Sequence, residues 1–219
     1  MPILIATPTF DSRVHASYML GVLGFLLSYR EKFDCALNMV HGTLVDRARD
    51  DLAEQALQSG HDLFFIDSDI GFAPRAAHDF LVRAHEADVP IVCAPYPRRS
   101  GMNDRDGFFS VAIPAEGSAP NEFGLYPVDA VPTGFTLIRH RVLEAIARIA
   151  PTYTNNSGTL HRFFPFIQDG DKLYGEDFSF CRLAREAGFQ AFAMPGIPLV
   201  HEGSKSYAGA WGPDSLNVA

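Results

Sequence analysis

Over its first hundred residues the chain alternates short apolar runs with segments of helical period, and that alternation points to a largely parallel sheet covered by helices. PILIA (2–6) reads as the first strand and ends in Thr7-Pro8-Thr9. An apolar stretch at 16–29 predicts a buried helix, and 34–40 a second strand. At 45–58, Leu52, Ala53, Ala56 and Leu57 recur at helical spacing, with Gly60 as a stop signal. LFFI (63–66) is apolar at every position, as befits a central strand buried on both faces, and Asp67-Ser68-Asp69 closes it. Pro74 opens a helix to 87, and VPIVCA (89–94) completes the order βαβαβαβ.

Beyond this the pattern loosens. Residues 98–124 are rich in Gly, Pro, Ser and Asn and read as a long loop with a hairpin around 108–113. A strand at 136–138, a helix at 141–149, a second loop, a helix at 176–187 stopped by Gly188, and a strand at 191–194 follow. A Gly/Ser-rich tail comes last. With 219 residues, the expectation is a single α/β domain with a mostly parallel sheet and helices on both faces.

At 47% hydrophobic and 20% charged, the composition is that of an ordinary folded domain. A formal charge of −8 with no Lys/Arg-rich run argues against nucleic acid or an anionic membrane as the main partner. An anionic small ligand would need local positive charge, supplied by a carboxylate-held divalent cation and a few arginines. Cys35, Cys93 and Cys181 are odd in number, far apart and set in apolar segments, which suits structural thiols. The apolar stretch at 16–27 is shorter than the ~20 residues of a membrane span, so no transmembrane segment is expected. No signal-peptide cleavage pattern follows it, so a cytoplasmic location, or a peripheral one at the inner face of a membrane, is expected.

Asp-x-Asp occurs at 67/69, 104/106 and 169/171, and about one such pair arises by chance in a chain with this many aspartates. Asp67 and Asp69 differ from the others in standing at the carboxyl end of a buried strand, where open α/β sheets place their ligands. Carboxylates two residues apart at such a turn can converge on one hard cation, which can in turn bridge two phosphate oxygens. The other two pairs lie in glycine-containing loops and read as solvated carboxylates.

LFFIDSD after a helix bearing Arg47-Ala48-Arg49, then VPTGF, YGEDFSFCRLAREAG and PLVHEGS, in that order, resemble the GT-A glycosyltransferases, family 2-like. The resemblance spans roughly residues 2–204. It implies a nucleotide-diphosphate sugar donor bound by a half at 1–97, with Thr7, Pro8 and Thr9 near the base and ribose. Asp67 and Asp69 would then be the Asp-x-Asp pair, touching the ribose and a Mn²⁺ or Mg²⁺ ion, with Ser68 between them. Residues 98–202 would form the acceptor half and 203–219 a flexible tail or lid, with Lys205 as a phosphate contact and Trp211 as apolar cover.

Arg49, and less directly Arg47, would lie near the donor; the alternative is solvated arginines paired with Asp46, Asp50 or Asp51. Glu176 and Asp177 match an acidic pair facing the acceptor, Asp177 serving as general base in inverting members, although acids in a first helical turn also satisfy the helix dipole. His201 matches a late histidine that completes the metal site in some members, and Gly134 a close-approach residue beneath the sugar. The acceptor, whether glycan, lipid-linked or small molecule, is not indicated. Two other activities fit parts of the pattern: a haloacid-dehalogenase-type phosphatase or phosphotransferase, and a nucleotide-sugar-binding module without catalysis.

Overall fold

The computed structural model describes residues 2–42, 44–99, 109, 119–155, 158–203 and 206–212. The first half runs β1 (Pro2–Thr9), α1 (Ala16–Tyr29), β2 (Asp34–His41), α2 (Val45–Ser59), β3 (Asp62–Ile66), β4 (Ile70–Phe72), α3 (Pro74–Ala87) and β5 (Ile91–Cys93). The second continues with β6 (Tyr126–Val128), β7 (Phe135–Ile138), α4 (His140–Ala147), β8 (Thr152–Asn155), β9 (Gly158–His161), β10 (Ile167–Asp169) and β11 (Lys172–Tyr174). It ends in α5 (Glu176–Glu186), β12 (Ala191–Ala193), β13 (Pro198–His201) and β14 (Tyr207–Ala210).

A seven-stranded sheet in the order β2-β1-β3-β7-β5-β12-β6 forms the centre. Strands β1, β2, β3, β5 and β12 run one way and β7 and β6 the other, so the sheet is mostly parallel. Side-chain alternation splits its apolar residues between two cores. Ile3, Ile5, Phe64 and Phe135 face α1 and α3, while Leu4, Leu63, Phe65 and Ile138 face α2, α4 and α5. Helices therefore cover both faces, and β3, apolar throughout 63–66, is buried along its whole length.

Three features position the functional end. Strand β7 is inserted antiparallel between β3 and β5, pairing Phe135 with Ile66, so the VPTGF turn arrives at the carboxyl end of β3. There the Asp67 N–H donates to the Gly134 carbonyl at 2.9 Å. Next, β4 grows directly out of the Asp67-Ser68-Asp69 turn and joins a three-stranded antiparallel sheet, β14-β13-β4, in which His201 stands opposite Ile70. The Glu202 N–H donates to the Asp69 carbonyl at 2.8 Å and closes that junction. Finally, α5 begins at Glu176, immediately after the β10–β11 hairpin.

Several expectations need correction. Helix α1 is not buried all round: Tyr18, Gly21, Val22 and Phe25 are its buried residues, and Leu20 and Leu27 are 71% and 76% exposed. Uniform hydrophobicity left its inward face unmarked; Phe72 and Pro74 set that face by packing on Gly21 and Gly24, where a Cβ would meet atoms at 2.8 and 2.5 Å. The second loop of the sequence reading holds two hairpins, β8–β9 and β10–β11. The described part of the tail is no frayed end, since β14 pairs with β13 and Trp211 is 2% exposed against Tyr126. Trp211 therefore belongs to the core and is not a ligand cover. Lys205, the Asp104/Asp106 pair and most of the hairpin expected at 108–113 lie outside the described residues. Asp169 pairs with Arg182 at 3.1 Å on an exposed hairpin, the solvated role expected for it. All three cysteines are free thiols, and no helix among the described residues is long and apolar enough to cross a membrane.

Candidate functional site

A cleft of about 290 Å³ opens at the carboxyl ends of β1 and β3, lined among others by Pro8, Thr9, Arg49, Asp67, Ser68 and Asp69. Five of these were expected to touch a donor and Asp69 a metal ion; two adjacent parallel strands and the N-terminal half of α2 bring them to one place. Thr7 and Gly134 do not line the cleft, and Thr7 is fully buried, its hydroxyl 2.5 Å from the Tyr18 hydroxyl. The difference is one of depth: Thr9 ends β1 at the cleft, whereas Thr7 lies two residues further into the sheet, on the face that packs on α1. Phe10, 70% exposed, also lines the cleft and was not anticipated. An exposed aromatic at a strand end was the signal that could have found it.

Arg49 is the cleft's inner cation. Its side chain is only 5% exposed, with Nη2 3.0 Å from Asp67 Oδ1 and 3.1 Å from Oδ2, and Nε 3.6 Å from Glu176 Oε1. The guanidinium also lies over the Phe65 ring at 5.2 Å. Burial opposes its charge and is the largest single influence, yet Asp67 and then Glu176 outweigh it and raise the Arg49 pKa. Arg49 Nη1 and Nε are buried without a hydrogen-bond partner, Nε facing Glu176 just beyond hydrogen-bond distance.

The alternative of a solvated Arg49 paired within its own helix is overturned, because the acids of α2 face elsewhere. Arg162 donates to Asp46 and, at 2.6 Å, to Asp50; the Tyr153 hydroxyl donates to Asp50 at 3.2 Å; and Glu54 accepts the His161 N–H at 3.1 Å. These contacts bind the β8–β9 hairpin to the outer side of α2. Arg47 is exposed.

Behind Asp67 stand Gly134 and Tyr96. A Cβ on Gly134 would lie 2.5 Å from the Tyr96 hydroxyl and 2.8 Å from Asp67 Oδ2, so a glycine is required here by close approach. Tyr96 is buried; burial first and the Asp67 charge second push its pKa well up, so the phenol stays neutral. Asp177 is half-buried at the start of α5. Burial first, then repulsion from Glu176, raise its pKa, and the Phe178 N–H, donating to Oδ1 at 2.8 Å, only partly offsets them. The two neighbouring acids thus differ: Glu176 is ion-paired with Arg49, and the pKa of Asp177 is raised by its burial and by the charge of Glu176.

Asp69 has a different cation, Arg99, which sequence reasoning missed because no motif or spacing marks it. Arg99 Nη2 donates to Asp69 Oδ2, and Nε donates to His201 Nε2 at 2.8 Å. His201 Nδ1 lies 2.8 Å from the Pro97 carbonyl, so Nδ1 carries the hydrogen and Nε2 presents a lone pair. Burial foremost lowers the His201 pKa and keeps the ring neutral. His201 Nε2 and Asp69 Oδ2 are 3.7 Å apart.

Among the described residues no cluster of three or more His, Cys, Asp or Glu groups converges for a metal ion. What converges is the pair Asp69 and His201. Two donors, one a neutral imidazole with its other nitrogen on a carbonyl, fit a cation that brings phosphate oxygens and water as its remaining ligands.

No family model matches the chain, and no curated protein matches it. Solved structures similar to it include residues 1–349 of S. aureus TarS, at 14% identity and a TM-score of 0.48, covering 99% of this chain and 62% of that one. The same piece of TarS in complex with UDP-GlcNAc is 12% identical with a TM-score of 0.46, covering 100% of this chain and 62% of that one. In complex with UDP it is 13% identical with a TM-score of 0.46, covering 99% and 62%. The chain thus spans less than two thirds of the length of these structures. At such scores the likeness is distant, and the chemistry of the site rests on the residues described above.

Proposed function

We propose that the protein is a glycosyltransferase that takes a sugar from a nucleotide-diphosphate donor and passes it to an acceptor hydroxyl. One observation carries this reading: a single cleft gathers Arg49 and the Asp67-Ser68-Asp69 turn, and next to it stands Asp177, a half-buried carboxylate with a raised pKa. Pro8, Thr9 and Phe10 offer an apolar and hydroxyl-bearing wall for base and ribose. Arg49, which lines the cleft, offers positive charge toward the diphosphate. Asp69 and His201 would hold Mn²⁺ or Mg²⁺, which supplies positive charge for the departing diphosphate.

In an inverting reaction Asp177 takes the proton of the attacking hydroxyl, and a raised pKa suits that task. Glu176, held by Arg49, positions the start of α5 and keeps Asp177 the stronger base through its charge. Gly134 lets the turn beneath the sugar approach Asp67 closely. A phosphotransferase reading, with Asp67 as nucleophile, is disfavoured by the guanidinium on that carboxylate, since an ion-paired carboxylate attacks poorly. A binding module without catalysis would have no use for the tuned proton affinity of Asp177.

Thermal unfolding of the protein against a panel of nucleoside diphosphates and nucleotide sugars, in Mn²⁺ and in EDTA, tests the reading. One nucleotide should raise Tm by mass action, and more in Mn²⁺ than in EDTA. An unchanged Tm with every nucleotide sinks the donor site, and equal shifts in both media sink the cation.

A further inference from the structure

We propose, on the reading of a diphosphate ligand given above, that Arg99 is an internal stand-in for the divalent cation. In the free protein its guanidinium occupies the place between Asp69 and His201, and on binding it passes to the phosphates, so that cation and diphosphate enter together.

The two atoms offered to a cation, Asp69 Oδ2 and His201 Nε2, both accept hydrogen bonds from Arg99. A divalent ion cannot take the same lone pairs while the guanidinium is there, because both are positive and both need those electrons. Arg99 must leave, and it needs another anion to go to. A diphosphate is that anion, since the planar fork of a guanidinium matches pairs of phosphate oxygens.

The contact is built to open. The Arg99 side chain is 42% exposed and that of Asp69 20%, against 5% for Arg49. The Arg99 stem runs over Gly203, where a Cβ would lie 2.7 Å from Cδ, so the arm rests on backbone and is not wedged among side chains. His201 does not depend on Arg99 for its orientation, because the Pro97 carbonyl fixes the ring through Nδ1. When Arg99 departs, a neutral imidazole is left in ligand form.

Linkage then follows: whatever factor the cation adds to diphosphate affinity, the diphosphate adds to cation affinity. Arg99 is a positioning and coupling residue here, distinct from the acid that moves the proton.

The experiment counts free Mn²⁺ by electron paramagnetic resonance during titration of wild type, Arg99→Gln and Arg99→Lys, alone and with UDP, GDP, ADP or inorganic pyrophosphate. Without diphosphate, Arg99→Gln should bind Mn²⁺ at least about fivefold more tightly than wild type, the relief of like charge at ~4 Å even at the dielectric of water. Arg99→Lys keeps the charge and should stay within about twofold of wild type, which separates charge competition from altered packing. The enhancement of Mn²⁺ binding by diphosphate should shrink in Arg99→Gln.

If wild type binds Mn²⁺ with a diphosphate but Arg99→Gln binds Mn²⁺ alone no more tightly, the stand-in is overturned and the diphosphate reading survives. If no protein binds Mn²⁺ under any condition, the stand-in and the cation site fall together, and the donor site stands or falls on the Tm panel.

Discussion

Asp67 and Asp69 lie two residues apart on one turn and each carries an arginine, yet the two pairs are opposite in kind. Arg49 comes from a helix, is 5% exposed, and bridges Asp67 and Glu176 over an aromatic ring. Arg99 follows β5 outside any helix or strand, is 42% exposed, and bridges Asp69 and His201 at the surface. In low dielectric, removing one partner strands a charge; near water, solvent and ions replace it. The inner pair is therefore structural and holds the site's shape, while the outer pair is exchangeable and suited to a ligand that carries its own charges.

The largest effect that could break this comparison belongs to the acid next to the inner pair. Asp177→Asn should leave nucleotide binding nearly unchanged and lower transfer, or hydrolysis of the donor by water, by roughly 10²–10⁴. It should also stabilise the fold at neutral pH. Because the folded-state pKa of Asp177 is raised, folding disfavours its ionised form, and stability falls as pH rises through the interval from the unfolded to the folded value. The variant's advantage in urea unfolding should thus appear above that interval and vanish below the ordinary carboxylate range. A wild-type rate in Asp177→Asn removes it as the base.

Arg49→Met should cost about 2 kcal/mol in urea unfolding, below the range for a fully buried pair because Asp67 and Glu176 keep some contact with water. Adding Glu176→Gln should recover part of the loss. If Arg49→Met proves neutral, the inner pair is no more structural than the outer one.

Gly134→Ala sharpens the same point through packing, with about 1–2 kcal/mol lost as the new methyl meets the Tyr96 hydroxyl and the Asp67 carboxylate. Tyr96→Phe in the same chain should return some of that stability, and a purely additive double variant would show that the clash is not with the hydroxyl. Arg99→Gln should be the mildest, within about 0.5 kcal/mol of wild type, as for a surface substitution. A loss as large as that of Arg49→Met would erase the distinction between the pairs.

Much of this was legible in the chain. Wholly apolar runs gave away β3 and the strands beside it, since a strand covered on both faces has no polar positions to spare. Helical spacing marked α2, and Pro74 the start of α3. The Asp67–Asp69 turn could be placed at a ligand-bearing strand end before any coordinates, and the cleft does lie there. Strand β4 escaped because three residues carry too little periodicity to be told from a turn, and hairpins β8–β9 and β10–β11 because their exposed, polar strands alternate weakly.

What the sequence determined by itself was local: which segments are extended or helical, which turn ends a buried strand, and which acids open a helix. Those follow from period, apolar content and the few residues that set φ or cap an end. Only the tertiary structure decided which cation meets which carboxylate. Arg49 is 18 positions from Asp67 and Arg99 is 30 from Asp69, and neither partner is marked by spacing, since a charge at the surface and a charge about to be buried look alike along the chain. Long-range register, with β7 entering antiparallel between β3 and β5 and β13 pairing with β4, brings Gly134 against Asp67 and His201 beside Asp69. Burial then separates the two carboxylates into one locked by its arginine and one left open to exchange.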